Sequence, residues 1–422
     1  MRKSHFYAIL IVFLLLPFSG VKADEVTLTL DEAVSIALSA NRGLLLKSED
    51  LKKAKAMIAE ARAGLLPSFT AKAGFTETRG LYSKDVGVTS GQIGVKQYIY
   101  TGGKVMNAVK SGEYSYAVAE AVLDRAKLET VLMTRKAFYA FLLADEYAAV
   151  NKGITGNTRE HLDYINARFN AGEVSRSDVL KMRSSLDEVN RAYAASLSQV
   201  EAARETLKNI LFIDKDVDLK ISGAFYYEPV EMAYDEAFLD AMRQRPEIRQ
   251  YEAQAKADEK NIEAVKADTR PSVYASWDYY SQSHLSAGTT RNPNDYNIIG
   301  VTVSWPIFDG WLTRAKVEQA IVDLRQTRLL SEKNIRDIAL ELKVAYLDLK
   351  NAIEEVKSVN SQNEVFRDNL AVIKDKYAAG QASGLELHDA QLSYDVSLFN
   401  KIQADYDYMI ARAVFNKAQG GV

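Results

Sequence analysis

The sequence predicts a mainly α-helical chain that carries membrane β-strands and is built twice over from one unit of paired strands followed by a long helix. Three observations carry this reading. With 47% hydrophobic and 26% charged residues and only 7 prolines in 422 residues, the composition suits an ordered protein rich in long helices. Short motifs recur in the same order in both halves of the chain. Within each half, the spacing of apolar residues changes from a helical period to a period of two and back again.

The repeat is legible from four anchors. "LDEAVSIALSANR" at Leu30 to Arg42 resembles "YDEAFLDAMRQRPE" at Tyr234 to Glu247, and Pro67 in "LLPSFTAKAGF" matches Pro271 in "TRPSVYASWDY", both at an offset of 204. Gly102 in "YIYTGGK" matches Gly310 in "PIFDGWL", and Gly172 matches Gly380, both at an offset of 208. The second half has therefore gained four residues between its proline and its first glycine anchor. On this basis residues 24–213 form the first repeat and 234–422 the second, joined by a segment at 214–233.

Each element of a repeat follows from its periodicity. Asp31 to Gly64 carries a helical pattern opened by Thr29 and an acidic first turn. After Pro67 the period falls to two: Phe69, Ala71, Ala73 and Phe75 form one stripe, and Ile93, Val95 and Ile99 another, which places strands at about 68–100. In the second half Val273, Ala275, Trp277 and Tyr279 pair with Ile299, Val301, Val303, Trp305 and Ile307, which places strands at about 272–308. Each apolar stripe is about ten residues long, the length that a tilted strand needs to cross a bilayer. The same alternation also fits a soluble antiparallel sheet capping a helical domain. In lipid, four strands cannot close a barrel and open edges are not tolerated, so a membrane sheet of this size demands an oligomer.

A long helix then runs to about 169 in the first repeat and to about 378 in the second. Ile335, Ile338, Leu342, Ala345, Leu349, Ala352 and Val356 step by three and four, as do Val179, Met182, Leu186, Val189, Tyr193, Ser196, Val200, Ala203, Leu207 and Ile210 after the first turn-around. The sentences "RFNAGEVSRSDV" and "KYAAGQASGLELHDA" join the helices at tips 170–175 and 379–384. There Gly172 and Gly380 supply the positive φ of a helix end, Ser175 and Ser383 cap the next helix, and Asp178 and Glu386 stand in its first turn.

The N-terminus reads as an export signal over residues 1–23, with Arg2 and Lys3 before an apolar stretch and Val21-Lys22-Ala23 as a cleavage site. A retained anchor is the competing reading, and the stretch is short for one. Cleavage would take the formal net charge from −3 to −6, which makes nucleic acid an improbable partner. The chain has no cysteine, so disulfides and thiolate metal sites are excluded.

From the same residues, "LTLDEAVSIALSAN", the two strand-opening prolines, "YIYTGGK", "PIFDGW" and the two tip sentences, the chain resembles the outer-membrane efflux protein (TolC-like) family over nearly its whole mature length. The resemblance implies a homotrimer whose four strands per copy complete a 12-stranded barrel in outer-membrane lipid, continued by a periplasmic α-helical barrel. It places Asp216 to Met232 in an equatorial belt. It implies a passive exit duct for tripartite efflux or type I secretion, with a periplasmic adaptor and an inner-membrane pump of the RND, ABC or MFS class, and no cofactor. By position, Tyr377 matches a gating tyrosine, Glu386 and Asp389 match acidic rings, and Asp178 matches a latch acid. Gly172, Glu173, Ser175, Gly380 and Ser383 fall on the adaptor-facing tips. The match departs at Ala382, where the family's best-known member carries a latch arginine; Arg176 is the residue nearest in kind.

Two other classes compete. An enzyme would need a nucleophile motif or histidines at ligand spacing, and His161, His284 and His388 have neither. A soluble periplasmic coiled-coil scaffold would need no apolar strands bearing Trp277, Tyr279 and Trp305.

Overall fold

The computed structural model describes residues 25–81, 84–229, 233–286, 289–290 and 294–421. The export signal read at 1–23 lies outside the described residues. In chain order the elements are β1 (Glu25–Leu28), α1 (Leu30–Ala40), α2 (Arg42–Ala63), β2 (Ser68–Leu81), β3 (Lys84–Tyr100), α3 (Lys104–Asn170), α4 (Arg176–Leu211) and β4 (Asp218–Ile221). There follow α5 (Tyr234–Gln244), α6 (Pro246–Lys266), β5 (Ser272–Ser286), β6 (Thr289–Thr290), β7 (Asn294–Ser304), α7 (Leu312–Ala378) and α8 (Gly384–Gln419).

Both long helices have 67 residues, which is about 100 Å at 1.5 Å per residue. No single partner covers that length. In the strand-proximal half α2 and α6 pack along α3, and α6 also packs on α7; in the tip-proximal half α4 returns along α3 and α8 along α7. Among the described residues no helix is long and apolar enough to cross a membrane.

The middle of the molecule holds the core. Phe138, Phe141 and Leu142 of α3, Leu207 and Leu211 of α4, Ile338 and Leu342 of α7, and Tyr408 and Phe415 of α8 are buried together there. The short helices α1 and α5 add Ala33, Ala37, Ala237 and Ala241, whose small side chains let them lie close. β1 pairs in parallel with β4, which ties residues 25–28 to the segment between the repeats. The anticipated seam on α7 is buried at Ile338, Leu342, Ala345, Leu349 and Val356, whereas Ile335 is 40% exposed.

The Asp31–Gly64 helix is broken where the periodicity predicts continuity. Asn41 sits in an extended conformation (φ −61°, ψ 119°), ends α1 and caps α2 by accepting from the Leu44 N–H at 3.2 Å. Its amide also donates to the Ile210 carbonyl at the end of α4 (3.2 Å). Arg245, 204 residues on, has nearly the same conformation (φ −61°, ψ 122°), and its guanidinium donates to the Ala418 carbonyl at the end of α8 (3.2 Å). Both repeats thus use the break residue to hold their own returning helix.

The strands form one antiparallel sheet in the order β2-β3-β5-β7, with β6 pairing only the end of β5. Strand lengths of 14, 17, 15 and 11 residues exceed the anticipated ten, because the ladders continue past the apolar stripes. Register aligns the faces. Phe69, Val95, Trp277 and Ile299 lie in one row on one face, and Lys72, Gln92, Tyr280 and Tyr296 in one row on the other. On the polar face Gln92 Nε2 donates to Asp278 (3.0 Å) and to the Tyr280 hydroxyl (3.1 Å), and Lys96 Nζ lies 3.8 Å from the centre of the Tyr274 ring. Trp305 and Ile307 do not continue β7, which ends at Ser304; Pro306 lacks the N–H that another ladder step requires. Instead the Trp305 indole donates to the Thr269 carbonyl (3.1 Å).

The turn from β3 into α3 is a close junction between the repeats. Gly102 (φ 65°) lies under Arg270, which donates to the Gly102 carbonyl at 2.9 Å, and a Cβ built on Gly102 would stand 2.7 Å from the Arg270 Cβ. Gly102→Val is therefore expected to cost about 2–4 kcal/mol, from the left-handed backbone and the overlap together. A fall in the thermal midpoint of the folded protein measures it, and an unchanged midpoint would contradict the junction as described.

Candidate functional site: the helix tips

The site is built from two helix ends of nearly identical chemistry. At the end of α3 the Gly172 N–H donates to the Phe169 carbonyl (2.9 Å) and the Glu173 N–H to the Arg168 carbonyl (2.9 Å), with Gly172 at φ 82°. At the end of α7 the Gly380 N–H donates to the Tyr377 carbonyl (3.0 Å) and the Gln381 N–H to the Lys376 carbonyl (2.8 Å), with Gly380 at φ 73°. Both are Schellman-type closures, which need a residue free to adopt positive φ.

The chain then re-enters a helix through a reciprocal cap. Ser175 receives the Asp178 N–H on its hydroxyl (3.3 Å) and offers its own N–H (3.1 Å) and hydroxyl (2.7 Å) to the Asp178 carboxylate. Ser383 and Glu386 repeat this, with the Glu386 N–H donated to the Ser383 hydroxyl at 3.2 Å and the carboxylate accepting at 2.7 and 2.9 Å. The hydrogen bonds from Ser175 hold the Asp178 carboxyl below its usual range, and those from Ser383 do the same for Glu386. Such carboxylates stabilise the cap fully above the ordinary carboxyl range, and the contribution is lost only as pH falls through the depressed value. Between pH 7 and 5 the Asp178 and Glu386 amides are expected to stay equally protected from hydrogen exchange, and Ser175→Ala or Ser383→Ala to expose them several-fold. Loss of protection by pH 5 in the unaltered protein would rule out these caps.

Across the two hairpins, the structure joins Tyr377 to the first tip. Its ring meets that of Tyr164 edge-on at 6.3 Å, and the Arg168 guanidinium lies 5.8 Å from the centre of the Tyr164 ring. Arg168 Nε pairs with Glu173 Oε2 at 2.8 Å, across its own turn. Burial first, and Tyr164 second, push the Tyr377 phenol up, with Arg168 acting in the opposite direction. His161 stacks against Tyr164 at 6.2 Å; burial, aided by His388, pushes its imidazole down.

The other anticipated residues are not drawn into this cluster. Asp178 and Glu386 are occupied by their own caps, and Arg176 forms no salt bridge among the described residues of this chain. Asp389 stands one turn beyond Glu386 on α8, and both are exposed. Gly172, Glu173, Ser175, Gly380 and Ser383 lie at the outer surface of the tips, with open space beside both glycines. No motif or period marks Tyr164 or Arg168 in the sequence, although Arg168 opens the first tip sentence at the position Lys376 occupies in the second.

A family model described as outer membrane efflux protein matches residues 33–211 and 239–421, one segment per repeat. The outer membrane efflux protein BepC of Brucella suis biovar 1 is 23% identical over 348 residues, 79% of this chain and 72% of its own. The outer membrane protein TolC of Escherichia coli K12 is 21% identical over 437 residues, covering 96% of this chain and 85% of its own. Among solved structures, the Campylobacter jejuni CmeC outer membrane channel superposes with a TM-score of 0.81 at 16% identity, covering 96% of this chain and 90% of that one.

Proposed function

The chain belongs to the outer membrane efflux protein family, and from that premise we propose that three copies close a 12-stranded barrel and serve as the passive exit duct of a tripartite efflux or type I secretion assembly. The family is one of outer-membrane channels rather than enzymes, and its members extend into the periplasm. A scaffold lacking membrane strands does not fit that placement.

One observation carries the reading. A single sheet has one apolar and one polar face, leaves the outer edges of β2 and β7 without a partner strand among the described residues, and runs directly into two helices of 67 residues that end in matched tips. In lipid the apolar face is satisfied, the polar face lines a lumen, and the edges require further copies. The helices continue the lumen toward the tips, where Glu386 and Asp389 from each copy form acidic rings that favour cations. Tyr377 closes the tip against Tyr164 and Arg168; Asp178 and Arg176 stand beside the cap. Gly172, Glu173, Ser175, Gly380 and Ser383 meet a periplasmic adaptor, and a pump of the RND, ABC or MFS class supplies the energy.

Conductance in planar bilayers tests this. The double variant Glu386→Gln, Asp389→Asn removes the charges while glutamine preserves the capping geometry. The unaltered protein is expected to give small cation-selective openings, and the variant to lose most of that selectivity. Inserted protein whose selectivity is indifferent to both carboxylates would sink the acidic gate.

A further inference from the structure

The two repeats obey one register, and that register has an unfilled half. Offsets of 204 for β2 onto β5 and 208 for β3 onto β7 turn the pair Ser68 with Lys96 into Ser272 with Ser304, which is also observed. The Gln97 side chain donates to the Leu65 carbonyl (2.9 Å), and Trp305, its counterpart, donates to the Thr269 carbonyl (3.1 Å), the counterpart of Leu65. The seam between repeats, β3 against β5, has no such counterpart within one chain. There Gly102 is covered by Arg270, whereas its counterpart Gly310 has nothing within 4 Å of a built Cβ. The counterpart of Arg270 is Leu66, 65% exposed beside Leu65. Around Gly310, Phe308 (72% exposed) and Trp311 (64% exposed) border an open cavity of about 460 Å³ that also includes Trp305 and Ile307.

We infer that neighbouring copies join by repeating the internal β3–β5 seam: β7 of one copy pairs antiparallel with β2 of the next, Ser304 opposite Lys72, and Leu65–Leu66 of the next copy closes the cavity at Phe308–Trp311. This rests on the assembly proposed above and adds its register and its lock. The internal pairs Lys96 with Ser276, Val95 with Trp277 and Gln97 with Ala275 transpose to Ser304 with Lys72, Val303 with Ala73 and Trp305 with Ala71. Apolar faces meet apolar faces, and the large Trp305 lies beside the small Ala71. A slip of one residue would turn every side chain of β2 to the wrong face. A slip of two keeps the faces but moves Leu66 away from Gly310.

The absence of cysteine makes the register directly readable. Residues directly opposite in an antiparallel pair have Cα atoms about 4.5–5.5 Å apart, within disulfide reach, and a slip of two places them about 7–8 Å apart, beyond it. Within one chain, positions 72 and 304 lie on opposite edge strands, about 14 Å apart across three strand spacings and, because Lys72 shares its row with Tyr296, a further eight residues or about 27 Å apart along the strands, so only copies can be joined. The full chain carrying Lys72→Cys with Ser304→Cys, oxidised mildly in membranes, is expected to give covalent dimers and trimers in several-fold higher yield than Thr70→Cys or Gly74→Cys with Ser304→Cys. Ala73→Cys with Val303→Cys reads the same register from the other face and guards against a lumen-specific defect. Preferential linking of a shifted pair, or intact trimers in which neither in-register pair links, would overturn the register while leaving the trimer standing. An unaltered protein that runs as single copies in mild detergent would overturn the assembly and the register together.

Discussion

Arg245→Leu is expected to destabilise the fold by about 3–5 kcal/mol, the usual cost of stripping one partner from a buried ion pair. Arg245 is 3% exposed and Glu247 4%. The guanidinium holds both Glu247 oxygens (3.1 and 3.0 Å), Glu341 Oε2 (2.8 Å) and the Lys417 and Ala418 carbonyls at the end of α8 (3.4 and 3.2 Å). Leucine leaves Glu247 buried, with only Arg125 Nε at 3.6 Å, and releases the last turn of α8. Arg245→Lys restores the charge but not the planar fork, so it is expected to recover less than half. Adding Glu247→Gln to Arg245→Leu should recover more, because the stranded carboxylate is the larger cost. The network also has a pH signature. Desolvation pushes the Glu341 carboxyl up, but the bonds from Lys417 and Arg245 together bring it below its ordinary value. Its contribution is complete above the ordinary carboxyl range and is lost as pH falls through the depressed value. Thermal unfolding followed by circular dichroism, across pH, measures both effects. A change under about 1 kcal/mol for Arg245→Leu would mean that the network contributes packing only.

Asn41→Ala, at the matching break of the first repeat, should cost nearer 1 kcal/mol, since a neutral cap and one hydrogen bond are lost. That contrast separates local from long-range determinants of the fold. Strand and helix periodicity, the duplication and the tip caps depend on neighbours within a few residues, and those were legible. The breaks were not. Nothing about Asn41 or Arg245 interrupts the apolar period; each break is held by a side chain that reaches a carbonyl 169 or 173 residues away, joined at Asn41 by its local cap on the Leu44 N–H. The local cues were weak: Asn41 is a cap-forming residue that accepts from the Leu44 N–H, but asparagine also occurs inside helices, and the proline at 246 is equally at home inside the first turn of a helix. Trp305 and Ile307 misled in the opposite direction. They keep the period of two, but the ladder ends at Ser304, before both, with Pro306 unable to donate to a further step, and their apolar character belongs to the uncovered junction. At the tips, the acids stood out by position, yet their nearest partners are their own capping serines. The contact between hairpins falls to Tyr164 and Arg168, which only the packing of α3 against the neighbouring helices brings to Tyr377.

Arg168→Ala combined with Tyr377→Phe is expected to raise the open fraction of the channel roughly five- to tenfold, the range of a modest coupling between two elements of one switch. Among the described residues of one chain this contact joins the first tip to the second, and it carries both a charge and two rings. Three copies around one axis would share a single gate, so a small loss per copy is multiplied in the opening equilibrium. The two changes act on different parts. Phenylalanine keeps the edge-on contact of Tyr377 with Tyr164 and removes only the hydroxyl, so alone it should open the gate less than Arg168→Ala, which also frees Glu173. Arg176→Ala is the informative control. Arg176 forms no salt bridge among the described residues, and the missing latch arginine at Ala382 made it the natural substitute by sequence alone. If Arg168 has taken that part, Arg176→Ala leaves single-channel opening near the unaltered level while Arg168→Ala raises it. The reverse ranking would return the latch to Arg176 acting between copies and reduce Arg168 to a brace for its own turn.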